Sequence, residues 1–223
     1  MTDAVRFDPH VHSTASYDAD ATVDRLLDRA ASVGLDALAV TDHDAIEASL
    51  RAVERAPDYG LVAVPGVEVS TADGHLLALG VESRPDPGRS LPVTVDAVRS
   101  LGGVSVVPHP FQRSRHGAPA SAIEDADPDA VEVHNAHTLL GVRNGQARAF
   151  ARRHGVPGIG ASDAHEAPLV GRGYTELTVD DADPLTAGAV LDAVRAGRTT
   201  ARGRRTTAGQ FLRKYLVNAS LLV

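Results

Sequence analysis

Nine side chains of metal-binding type run through this 223-residue chain. They are His10 and His12 in D-P-H-V-H-S, Asp18, His43 in V-T-D-H-D, Glu68 in P-G-V-E-V-S, His75, His109 in V-P-H-P, and Asp163 and His165 in A-S-D-A-H. Imidazoles mixed with carboxylates suit zinc, manganese or iron, whereas an all-oxygen set would suit calcium or magnesium. The set is larger than one ion needs. A cluster of two or three divalent ions is therefore expected, a device that most often serves chemistry on phosphate esters.

The motifs differ in how firmly they point to ligation. Alternation along a strand puts His10 and His12 on one face, so both can reach one ion. An isolated H-x-H would be as readily a pair of loop histidines; the preceding strand and the later motifs favour ligation. His43 leaves the apolar run L-D-A-L-A-V, and Asp42 and Asp44 beside it can cap the helix that follows. Glu68 interrupts the apolar run L-V-A-V-P-G-V-E-V, where a carboxylate requires a cation or a hydrogen-bond network. Two prolines restrain His109 and preorganise it as a ligand. Asp163 and His165 repeat the same-face spacing of the first motif. Asp18 has helix capping as an alternative role, and His75, just after a turn, could equally be a solvated histidine.

Other residues are candidates for holding the rest of a substrate. Arg113, Arg115 and His116 follow the H-P motif, and His134 in V-E-V-H-N leaves a strand end. Arg143 and Arg172 are further cationic candidates, although a lone arginine is usually solvated. His137 reads as a loop residue, and His154 as a partner of a helix C-terminus.

These side chains need elements that gather them. Short Ala/Val-rich runs alternate with helical patterns, the signature of an α/β domain with parallel strands. Strands are expected over 5–8, 35–40, 61–69, 75–81, 104–107, 130–133, 157–161 and 174–179, with those over 61–69 and 75–81 joined by the T-A-D-G turn. Helices are expected over about 22–33, 46–55, 93–101, 142–154 and 184–196. Seven of the candidate ligands (His10, His12, His43, Glu68, His109, Asp163 and His165) fall at or just past the C-terminal ends of these strands. In a closed parallel barrel those ends meet on one face, which would collect residues more than 150 positions apart.

Composition narrows the field. The chain has no Cys, which removes disulfides, thiolate nucleophiles and Cys-ligated metal sites. Its formal net charge of −7 argues against indiscriminate nucleic-acid binding over the whole surface, though not against a local basic groove. No run approaches the roughly 18–20 apolar residues that span a bilayer, and M-T-D-A-V-R-F-D lacks a signal pattern. A cytoplasmic location and no membrane partner are the expectations. Length suits one domain over 1–197, with a basic C-terminal tail over 198–223.

Taken in order, D-P-H-V-H-S-T, V-T-D-H-D, G-V-E-V-S, H-P, V-E-V-H-N and S-D-A-H resemble the polymerase and histidinol phosphatase (PHP) superfamily. The likeness runs from about Arg6 to Val179, and the pattern is similar to the small stand-alone phosphoesterases of that family. It implies a distorted (β/α)7 barrel with up to three zinc, manganese or iron ions at the C-terminal ends of the strands. His10, His12, Glu68 and Asp163 would hold the first ion. Glu68 would bridge to a second, completed by His75 and His109, and Asp18, His43 and His165 would hold a third. Many relatives read S-D-G where this chain reads Y-D-A-D, which prefers Asp18 and leaves Asp20 as the alternative. The implied reaction is phosphoester hydrolysis by a metal-held hydroxide, with no protein nucleophile. The implied substrate is a small phosphorylated molecule, a nucleotide or short oligonucleotide, and no stable protein partner is implied. Two rival readings are a histidinol-phosphate phosphatase and a non-catalytic accessory or RNA-binding subunit. The latter predicts eroded ligands, and this chain keeps all nine.

Overall fold

The structure, a computed structural model, describes residues 2–138, 141–180 and 183–204. Its strands form two mixed five-stranded sheets. In the first, β1 (Thr2–Val11), β2 (Ala37–Val40) and β3 (Val62–Ala63) are parallel. Then β9 (Gly173–Asp180) and β10 (Thr199–Gly203) add antiparallel beyond β1. The second sheet runs β4 (Gly66–Ser70), β5 (His75–Leu79), β6 (Val104–Val107), β7 (Ala130–Asn135) and β8 (Gly158–Ala161). There β5 is antiparallel to both neighbours, and β6, β7 and β8 are parallel.

The α/β class holds, but the expected (β/α)7 barrel is not confirmed: the ladders form two sheets and do not close into one barrel among the described residues. The Thr71–Gly74 turn, closed by Thr71 N–H donating to Gly74 O, is too tight for anything but an antiparallel hairpin. The run expected as one strand over 61–69 divides at Pro65, which cannot donate to a ladder. Val62 and Ala63 pair with β2, whereas Gly66 onward pairs with β5.

The basic tail expected from residue 198 also needs correction. Residues 199–203 form β10, and the charges that suggested a solvated tail are cross-strand partners: Arg198 pairs with Asp180 and Arg202 with Glu176. The rest of that segment, 205–223, lies outside the described residues.

Apolar residues of both sheets face one shared core that includes Phe7, Leu77, Leu79, Val106, Ile159 and Leu177. Helix α6 (Ala187–Arg195) closes this core with Val190, Leu191 and Val194. Helices α1 (Val23–Ser32) and α2 (Glu47–Arg55) cover the outer face of the first sheet through Leu26, Leu27 and Ala52. Helices α3 (Leu91–Ser100), α4 (Ala120–Ala126) and α5 (Val142–His154) cover the second through Val95, Ile123 and Phe150. None of the described helices is long and apolar enough to cross a membrane.

The sheets are stitched at two seams. At one, Gly160 N–H donates to Thr175 Oγ1, which donates to Gly160 O, and His12 N–H donates to Ala164 O. At the other, Glu68 N–H donates to Asp42 O, and Asp44 N–H to Glu68 O. Backbone approach at the first seam leaves no room for a side chain at Gly173, where a Cβ would fall on Ala161 O. Gly173→Ala should therefore lower the melting temperature by roughly 5 °C through overpacking. Gly188→Ala in α6, where a Cβ meets nothing nearer than Thr186 Oγ1 at 3.9 Å, is the control expected to unfold no earlier than wild type.

Candidate metal centre

Glu68 is the hub of the site. It is fully buried in the middle of β4, and its two carboxylate oxygens face five imidazoles. Oε2 lies 3.2 Å from each of His10 Nε2, His12 Nε2 and His43 Nδ1. Oε1 lies 2.8 Å from His75 Nδ1 and 3.1 Å from His109 Nε2. Asp163 Oδ1 stands 3.7 Å from His10 Nε2, 3.6 Å from His12 Nε2 and 3.4 Å from His165 Nδ1. Asp18 completes the set, with Oδ2 3.0 Å from His165 Nε2 and Oδ1 3.9 Å from His43 Nε2. All nine expected residues thus meet in one place, at the ends of both seams. Asp20 is exposed, so Asp18 supplies the carboxylate here.

Tautomers can be assigned from the surrounding hydrogen bonds. Ser16 Oγ must donate its single hydrogen to the Asp42 carboxylate at 2.7 Å, so it accepts from His12 Nδ1 at 3.0 Å. His10 Nδ1 likewise faces Glu132 Oε1 at 2.8 Å and donates to it. With both Nδ1 atoms as donors, the neutral rings turn bare Nε2 lone pairs inward, 2.9 Å apart and each 3.2 Å from Glu68 Oε2. Three acceptors cannot crowd together in a dry interior without a positive charge among them. Asp163 Oδ1 and Asp18 Oδ1, both buried, accept no hydrogen bond among the described residues. The donor set and its orphaned atoms fit divalent ions of the zinc, manganese or iron type. Sets that could each hold one ion include His10, His12 and Glu68; His43, Glu68 and His75; and His12, His43 and His165.

Electrostatics show the same need. Burial alone would raise the Glu68 carboxyl, but positive charge on its His10 side outweighs that and holds it well below the usual range. Burial would raise Asp163 too, and Arg115, His10 and His165 keep it well below. For His43 burial wins, pushing the imidazole down to about 4, so it remains a neutral lone-pair donor at pH 7.

Two ligand candidates sit on strained backbone. His109 has φ of 31° and Asp163 φ of 52°, left-handed values that such residues rarely adopt. The A-S-D-A-H motif therefore bends out of its strand instead of extending it. His109 is held by its N–H donating to Glu132 Oε2 at 2.8 Å, which compensates the distortion. Glu132 thus fixes both His10 and His109. Asn135 Nδ2 joins it, donating to Glu132 Oε2 and Asp163 Oδ2 at 2.8 Å each. Sequence reasoning missed this pair, and also missed His137, whose Nδ1 faces Asp163 O at 3.0 Å. The signal was present for Glu132: like Glu68, it is a carboxylate inside a Val-rich strand.

Beside the centre opens a cavity of about 920 Å³, reached past His43 and His75. Of the expected substrate contacts, Arg113, His116 and Arg143 line it. Arg115 instead turns inward and pairs with Asp163 Oδ2 at 2.5 Å. His134 and Arg172 do not line the cavity. Tyr17, 84% exposed, stacks on His43 with ring centroids 5.2 Å apart and stands at the mouth.

Residues 8–146 match the PHP domain family, and residues 141–199 match the PHP-associated family. Over 111 residues the chain is 30% identical to an uncharacterized protein of Methanocaldococcus jannaschii, covering 50% of this chain and 64% of that one. Over 81 residues it is 41% identical to a phosphoribosyl 1,2-cyclic phosphate 1,2-diphosphodiesterase of Eggerthella lenta, covering 34% of this chain and 30% of that one. The chain therefore spans less than two thirds of the length of these relatives. Among solved structures, a two-domain protein of Bacteroides vulgatus containing a predicted PHP-like metal-dependent phosphoesterase superposes with a TM-score of 0.77 at 19% identity. That match covers 91% of this chain and 66% of the other, and it concerns the fold alone.

Proposed function

The chain belongs to the PHP domain family, and on that premise we propose that it is a metal-dependent hydrolase of phosphate esters, acting on nucleotides or short oligonucleotides. The observation that carries this reading is the convergence of His10 Nε2 and His12 Nε2 on Glu68 Oε2 in a buried site. His10, His12, Glu68 and Asp163 would hold a first ion. Glu68 would share a second with His75 and His109, and Asp18, His43 and His165 would hold a third. Such ions supply a nucleophile at neutral pH and neutralise charge on the phosphoryl oxygens.

The protein's own residues do the rest. Glu132 and Ser16 fix the tautomers of His10 and His12, so neither ring has to reorient when substrate arrives. Burial excludes water from Glu68 and Asp163, which strengthens every charge interaction around them. Arg113 and Arg143 offer planar guanidinium forks to phosphate from the cavity wall, and Tyr17 offers a ring face to a base. The diesterase relative is named for a phosphorylated ribose, which agrees with a sugar phosphate at this rim.

Metal analysis of protein purified without added metal tests the reading directly, paired with phosphate release from nucleoside 3′,5′-bisphosphates, short oligonucleotides and histidinol phosphate. More than one ion per chain and turnover of the nucleotide substrates are expected. Well under one ion per chain, with no gain in activity on Mn²⁺ addition, would end it.

A further inference from the structure

The cavity beside the centre does not stop at Arg113 and His116. A second, shallower one of about 360 Å³ continues from it and shares two walls, Phe111 and Arg143. Its other walls are Gln146, Ala149, Phe150 and Arg153, all on α5. Arg143, Gln146, Phe150 and Arg153 are spaced three, four and three apart, so they form one stripe along the helix. The stripe is cationic in a chain of formal net charge −7: α5 carries Arg143, Arg148, Arg152 and Arg153 and no carboxylate. Arg153 is exposed and makes no ion pair among the described residues. Among the described residues Arg143 bonds only the neutral amide of Gln146, at 2.8 Å.

Phe111 is the hinge between the two cavities. Its backbone is left-handed, with φ of 68°, a conformation that costs a bulky side chain energy. The fold accepts that cost and seats the ring edge-on to Phe150, with centroids 5.7 Å apart, where it borders both cavities.

We propose that this stripe is a second substrate subsite, which takes the nucleotide adjoining the one whose phosphate lies at the centre. The preferred substrate is then a single-stranded chain of at least two nucleotides, with the free mononucleotide the poorer one. Guanidinium groups grip phosphodiesters by paired hydrogen bonds, and aromatic rings stack with any base, so the subsite favours strand over sequence. The inference rests on the phosphoesterase reading above and adds to it where the remainder of the substrate lies.

The test is the KM for terminal phosphate release from thymidylates of one to four nucleotides, each carrying the same terminal phosphate, with the metal-loaded full chain. KM should fall roughly tenfold from mono- to dinucleotide, and the fall should shrink as salt rises. Arg153→Glu should erase that fall, and Gln146→Arg should deepen it. A KM flat across the series, or a fall untouched by Arg153→Glu, overturns the subsite while mononucleotide turnover leaves the phosphoesterase reading standing. No turnover of any member by ion-loaded protein overturns both.

Discussion

Glu68→Gln is expected to cut turnover by roughly 10³-fold or more while leaving the protein folded. Glu68 faces five of the imidazoles, three through Oε2 and two through Oε1. An amide keeps the shape but supplies one acceptor and one donor. Whichever way it turns, its N–H₂ confronts either His75 and His109 or the three rings on the other side. It also removes the negative charge that lets cations gather there. The signature is a joint loss: steady-state kinetics should show a fallen kcat, and metal analysis fewer ions per chain. Near-wild-type turnover in this variant would remove Glu68 from the centre. A fallen kcat at full metal content would instead limit Glu68 to a role after binding.

Removing the ions from the wild-type protein should lower its melting temperature by roughly 10 °C. An ion present at about a thousand times its dissociation constant stabilises by about 4 kcal/mol, and a protein of this size loses about 2–4 °C per kcal/mol. The direction follows from the tautomers. Without cations, the Nε2 lone pairs of His10 and His12 oppose one another at 2.9 Å. The folded state must then take up protons or spread apart, and either response costs stability. Thermal scans before and after chelation, with Mn²⁺ or Zn²⁺ restored in a third sample, measure the effect. An unchanged transition in protein shown to have lost its ions would contradict it.

The ligand set was legible because each member breaks a local pattern. Glu68 is a charge in an apolar strand, His10 and His12 share a strand face, and His109 stands between prolines. The supporting residues were hidden for a physical reason. Strict alternation puts Glu132 and His134 on one face of β7 and Asn135 on the other, which made His134 the candidate. The register of β7 against β8 shifts between Glu132 and His134, and that irregularity turns Asn135 inward beside Glu132. No feature of the sequence marks it. The antiparallel pairings were legible only in part. Alternating strand and helix patterns suggest parallel pairing; the T-A-D-G turn between 61–69 and 75–81 is visible in the sequence, but β10 folds back on β9 through charges that look solvated until their partners are placed. The left-handed backbones of His109 and Asp163 could not be read either, because neighbours distant in sequence impose them.

The position of the cluster at the ends of both seams bears on how the protein lives and dies. Its side chains come from β1 and the loops after β1 and β2 on one sheet, and from β4, β5 and the loops after β6 and β8 on the other. His10 and Asp163 cannot meet until both sheets have formed and docked, so the ions have nothing to bind until assembly is nearly over. Interactions made that late leave the rate of folding almost unchanged and slow the reverse step. Metal supply would then govern the lifetime of each finished molecule, with the speed at which new ones form left to the apolar core.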